Sequence, residues 1–130
     1  MRRPFRHRPL PAAIVYLGVI ALALFGHRTL AAPAISQAQA QAAIDAWVKG
    51  PKGPSRDGSA RVVSVRDGGS QNEAIAALRV KQFPDEDGHI SPTEDPADAT
   101  FTRQKDGRWM LTKVVWDQGR RTAAPNVAVK

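Results

Sequence analysis

Cysteine is absent from all 130 residues. Disulfides therefore contribute nothing to stability, and a lipid anchor on a cleavage-site cysteine is ruled out. Acidic residues are absent from the first 34 positions, which hold Arg2, Arg3, Arg6, Arg8 and Arg28. Catalytic signatures are missing as well. There is no Gly-x-Ser-x-Gly element, no glycine-rich phosphate loop, and no His or Cys cluster at metal-ligand spacing. These absences argue against an enzyme, and they leave no cofactor and no metal to expect.

The N-terminal segment is the most informative stretch. Four arginines precede the uncharged apolar run Ala12–Phe25, followed by Gly26-His27-Arg28 and the small residues Ala31-Ala32-Pro33-Ala34. Basic, then apolar, then small is the order of an export signal. Residues 1–34 are read as a signal peptide or signal anchor, with the rest working outside the cytoplasm. The run of 14 residues spans ~21 Å as a helix, short of a bilayer core of ~30 Å. Leu10, Pro11 and Gly26, with His27 and Arg28 at the interface, extend it to a short span. Ala32 and Ala34 are small residues at the two positions a signal peptidase reads, and Ala38-Gln39-Ala40 offers a second cleavage site. Cleavage leaves a soluble periplasmic domain. Retention tethers the domain to the inner membrane, with the N-terminus in the cytoplasm. Arg2-Arg3-Pro4-Phe5 resembles the core of a twin-arginine export signal, although Arg6 stands where a hydrophobic residue belongs.

The net charge of +7 invites a polyanion-binding reading, but its distribution removes the support. Five of the 19 basic residues and none of the 12 acidic ones precede residue 35, leaving 14 against 12 and a net of +2. The excess belongs to the export segment, where positive charge sets orientation. Nucleic acid is not an expected partner.

Beyond residue 34 the pattern predicts a small α+β domain over 35–121 and an irregular tail over 122–130. Ser36 is placed to cap a helix running to Val48, with Ala40, Ala43, Ile44, Trp47 and Val48 on one stripe and Gly50-Pro51 as its stop. Arg61–Val65 reads as a strand. Asp67-Gly68-Gly69-Ser70 supplies a turn, and Glu73–Phe83 reads as the pairing strand. Pro84–Asp98 holds three prolines and six of the 12 carboxylates, and is expected to be an exposed, mobile loop. Its Asp85-Glu86-Asp87-Gly88-His89 does not carry calcium-loop spacing. Thr100–Lys105 and Arg108–Trp116, joined by Asp106-Gly107, read as a hairpin with a two-residue turn in which both residues take positive φ. Strict alternation puts Trp109 and Leu111 on one face, and Met110, Thr112, Val114 and Trp116 on the other. One face would cover the helix and the other would await a partner or membrane.

A helix followed by an antiparallel meander ending in Phe101, Asp106-Gly107-Arg108-Trp109-Met110-Leu111 and Val114 resembles the cystatin-like, or nuclear-transport-factor-2-like, superfamily. The resemblance covers roughly residues 36–117 and implies a curved sheet of about four strands wrapped around one helix. Enzymatic members close a deep cone with several helices around an Asp, His or Tyr, and this chain has a single helix before its sheet.

Three functions are expected. The first is a non-enzymatic interaction module, an accessory or scaffold component of an envelope or membrane complex. It would contact a protein partner or a second copy through Met110, Val114 and Trp116 with Arg108, Lys113, Arg120 and Arg121. The second is a periplasmic small-ligand binder with a helix–sheet pocket lined by Trp47, Leu78, Trp109 and Leu111. The third is a binder of anionic lipid or wall polymer through the basic C-terminal hairpin.

Overall fold

Helix formation begins at Ser36 in the computed structural model, which describes residues 34–130. The apolar run and Ala32 lie outside the described residues. Ser36 Oγ accepts the Gln39 N–H at 3.0 Å, and Gln39 Oε1 accepts the Ser36 N–H at 2.8 Å. This reciprocal capping box satisfies two amide donors left orphaned at a helix start. Helix α1 spans Gln37–Lys49 and buries the expected stripe of Ala40, Ala43, Ile44, Trp47 and Val48. It ends at Gly50, and a tight turn follows in which a side chain on Gly53 would collide with the Val48 carbonyl.

The sheet is antiparallel and six-stranded. Strands β1 (Ser59–Asp67), β2 (Glu73–Lys81), β3 (Glu94–Arg103) and β4 (Trp109–Trp116) form a meander. The far edge of β4 is completed by two short strands, β5 (Arg121–Ala123) and β6 (Val127–Ala128). Residues 122–130 are thus not the irregular tail that their composition predicts. Pro125 is buried and Val127 and Val129 pack against the core, so apolar contact holds segments too short to be recognised as strands.

Two bulges break the ladders, at Val62/Ser64 in β1 and opposite Thr100/Phe101 in β4. The second corrects the predicted faces. Thr100 pairs with Lys113 and Phe101 with Leu111, leaving Thr112 as the extra residue. One inserted residue resets the side-chain phase, so Leu111, Val114 and Trp116 all point into the core and are buried. Thr112 is held on the opposite face by a 2.8 Å hydrogen bond to Thr102 Oγ1.

Two further expectations are corrected. The Asp106-Gly107 connection is not a two-residue turn, since Gly107 has φ +89° and Asp106 is not left-handed. Gly107 N bonds Gln104 O at 2.9 Å and Gln104 N bonds Arg108 O at 2.7 Å, the pattern of a three-residue loop with a glycine bulge. Asp106 instead accepts the Arg108 N–H at 3.0 Å. The acidic loop is also shorter than expected, because Glu94–Asp98 belong to β3, with Pro96 opposite Arg79.

The core lies between α1 and one face of the sheet. Ala74, Ala76, Leu78 and Val80 of β2 alternate inward, and Ala97, Ala99 and Phe101 of β3 do the same. At one end Trp47, Phe83 and Trp116 form an aromatic triad, with centroids 5.4–6.2 Å apart and two edge-on contacts in the favoured geometry. The helix also closes part of the β1 edge. Gln41 accepts from Val62 N at 2.7 Å and donates to Ala60 O at 2.9 Å, and Gln37 donates to Val62 O at 3.1 Å. These amides stand in for a neighbouring strand.

Candidate functional site

Where two ladders stop at different points, a sheet opens. Pairing of β2 with β3 continues to Lys81 opposite Glu94, whereas pairing of β3 with β4 stops at Asp98 opposite Val115. Residues 94–97 are therefore laddered on one side only, and β4 turns away from them into β5. The wedge between them is a groove of about 580 Å³, within the size range of ligand sites.

Phe83, Ala97 and Trp116, all buried, back the groove, and Asp85, Asp95, Asp98 and Asp117 are among its remaining lining residues. Among the described residues no Lys, Arg or His lines it. Asp117 is compensated, because its Oδ1 accepts from Arg120 at 3.0 Å and its Oδ2 accepts the Glu86 N–H at 3.1 Å. Asp95 and Asp98 have no ion-pair partner among the described residues.

The walls are held by specific contacts. Asp117, Gln118 and Gly119 have φ of +55°, +55° and +87°, a left-handed turn closed by Gly119 N to Trp116 O at 3.2 Å and Arg120 N to Asp117 O at 3.0 Å. Two consecutive non-glycine residues in this region cost about 1–2 kcal/mol each. On the opposite wall Pro84 bridges Ile90, and the Trp116 indole N–H donates to Pro84 O at 2.7 Å.

Within that wall Asp85 Oδ1 accepts the amides of Asp87 and His89, each at 2.9 Å. The His89 amide, ahead of its other neighbours, holds the Asp85 carboxyl below the usual aspartate value. Asp85, Asp87 and His89 bring ligand-type atoms within 4.8 Å of one another. One Asp85 oxygen is already shared by two amides, and turn formation accounts for the cluster. At the hairpin the Arg108 amide, followed by its side chain, likewise lowers the Asp106 carboxyl.

The residues singled out in the sequence fall into separate places. Trp47, Leu78 and Leu111 are buried in the core and Trp109 is half-buried against it. None of the four lines the groove. Val114 and Trp116 are core residues, not an exposed contact face. Met110 is half-exposed on the opposite face. Arg108 and Lys113 are exposed, Arg108 pairing with Asp106 at 2.9 Å. Arg120 pairs with Asp117 and Glu86, and Arg121 lies 5.5 Å from the Trp116 ring. The groove itself escaped sequence reasoning. Its one signal in the sequence is the acidic stretch Pro84–Asp98, whose composition reads as an exposed loop.

Among the described residues no helix is long and apolar enough to cross a membrane. Comparison with protein-family models, with curated proteins and with solved structures finds no match.

Proposed function

We propose that this chain is a non-enzymatic interaction module working outside the cytoplasm, as an accessory or scaffold component of an envelope or membrane complex. The observation that carries the reading is the open wedge beside β3, where residues 94–97 are laddered on one side only and Asp95 and Asp98 have no ion-pair partner among the described residues. A strand edge left without a neighbour is a place where a partner chain can dock. The export-type order of residues 1–34 supports the compartment, and a single helix packed on an antiparallel meander is consistent with the cystatin-like resemblance.

The other two readings draw less support. The helix–sheet ligand pocket draws less support because Trp47, Leu78 and Leu111 are buried in the core. A basic hairpin surface loses two of its cations to local pairs, Arg108 to Asp106 and Arg120 to Asp117 and Glu86.

The test is a photo-crosslinker placed singly at Ser91 and at Gln118, which line the groove, with Arg56 as an exposed control, in cells making the full chain. A discrete adduct from the two groove positions but not from Arg56, in the envelope fraction, is expected. Absence of any adduct, together with recovery of the protein in the cytoplasmic fraction, overturns the reading.

A further inference from the structure

One face of the sheet carries the helix and the core, and the other is open. We infer that the open face is the contact surface of a homodimer. Two copies pack sheet against sheet about a two-fold axis that crosses the strands along the row of Ala76 and Ala99. This surface is separate from the groove wall and does not depend on the envelope-module reading.

Register defines the face. Ala74, Ala76, Leu78 and Val80 are buried on the helix side, so Glu73, Ile75, Ala77 and Arg79 point the other way. Thr100 pairs with Ile75 and Asp98 with Ala77 across one ladder; Lys113 pairs with Thr100 and Val115 with Asp98 across the next. Partners in a ladder share a face. The centre of the open face is therefore Ile75, Ala77, Thr100 and Val115, each half-buried in the single chain. Around it stand Glu73, Arg79, Asp98 and Lys113, none with an ion-pair partner among the described residues.

Those charges are placed so that the face complements itself. Glu73 and Arg79 stand at equal distances on either side of Ala76 along β2. Asp98 lies in the Ala77 row and Lys113 in the Ile75 row, one step to either side of the same line. A two-fold along that line sets Glu73 of one copy over Arg79 of the other. It also sets Lys113 of one copy beside Asp98 of the other, and it makes each contact twice. Ile75 then lies on Ala77 at the centre. Arg66, in the Ile75 row, comes to Ser64 of the second copy, and Lys81 at the end of β2 stays in solvent. Aligned sheets cross at ~30°, a displacement that Arg and Lys side chains span. Four strands of about nine residues make a plane of roughly 20 by 30 Å. That is the scale of the ~800 Å² each partner buries in a stable complex. An unrelated protein would have to match four charges of two signs, whereas a second copy matches them by symmetry.

The experiment uses the full chain, in membranes and in detergent. The chain lacks cysteine, so Ala77→Cys supplies a single thiol on the open face. Ala42→Cys supplies one on the exposed side of the helix. A short bismaleimide is expected to link two copies through the first thiol and not through the second. Charge reversal then tests the axis in the Ala77→Cys background. One variant, Arg79→Glu/Lys113→Glu, makes the four positions acidic; the other, Glu73→Lys/Asp98→Lys, makes them basic. Each alone is expected to dimerise about tenfold more weakly, since exposed charge contacts are lost in pairs. An equimolar mixture of the two is expected to regain the unsubstituted cross-linking yield. Circular dichroism checks that both variants fold; if either does not, the Ala77→Cys and Ala42→Cys comparison decides alone. No linked dimer from Ala77→Cys, equal linking from Ala42→Cys, or a mixture of folded variants no better than its components overturns the inference.

Discussion

The Trp116 indole donates to the Pro84 carbonyl at 2.7 Å, which ties the end of β4 to the start of the loop across the groove. The same ring packs edge-on against Phe83 and lines the groove. One side chain thereby joins core, loop and candidate site.

Replacing Trp116 with Phe keeps an aromatic ring and removes that donor. A lost hydrogen bond of this kind costs about 1–2 kcal/mol, so the urea midpoint should fall while the native fold is retained. Amide exchange should quicken across residues 84–91. A midpoint shift within error would show that the loop is held by other contacts.

The bulge at Thr112 makes opposite forecasts for two neighbours. Val114 is fully buried, and truncation to Ala should cost about 2 kcal/mol. Met110 stands on the other face, and the same truncation there should stay within about 0.5 kcal/mol. Equal effects would restore strict alternation along β4.

Left-handed backbone at the β4–β5 turn can be tested without touching a contact. A Cβ on Gly119 meets nothing within 4 Å, so Gly119→Ala should cost about 1 kcal/mol from conformation alone. Gln118→Gly should stabilise by about 0.5–1 kcal/mol by relieving the same constraint. Thermal melts of the two variants would therefore move in opposite directions. If Gly119→Ala is neutral, the turn is not left-handed in solution.

Gln41 substitutes for a missing strand along β1. Gln41→Ala leaves Val62 N–H and Ala60 C=O without that partner and should cost about 1–2 kcal/mol. Hydrogen exchange at Val62 should accelerate more than at Leu78, which pairs with it from β2.

Acid should loosen the 85–89 turn. The Asp85 carboxyl is held below the ordinary value of 3.8, chiefly by the His89 amide. A depressed folded value means that stabilisation is present above the unfolded value and lost as pH falls through the folded one. Protection of the Asp87 and His89 amides, relative to their intrinsic exchange rates, should fall as pH drops below the ordinary aspartate range. Asp85→Asn should flatten that dependence; an unchanged profile would count against the assignment.

Processing is constrained by burial as well. Ile35 is 2% exposed in the core, and Ala40 sits inside α1. Removal of residues through Ala40 would strip the capping box, so a processed chain should begin no later than Ile35. Intact mass decides this, and a folded species beginning at Gln41 would contradict it.

Sequence alone determined the helix, its Ser36 cap and its buried stripe, and the pairing of Arg61–Val65 with the strand after Gly69. Those features are local: a 3.6-residue period, a cap and a turn are written in neighbouring residues. Tertiary structure decided where each ladder stops. Thr112 is the extra residue between the Thr100–Lys113 and Phe101–Leu111 pairs, and this turns Val114 and Trp116 inward against their alternation. Pro96 and the carboxylates around it gave Glu94–Asp98 the composition of a loop, yet pairing with Arg79 and its neighbours on β2 makes them a strand. The groove exists because β4 leaves β3 at Asp98 while β2 stays with it. That divergence is a relation between three strands distant in sequence, and no local pattern encodes it.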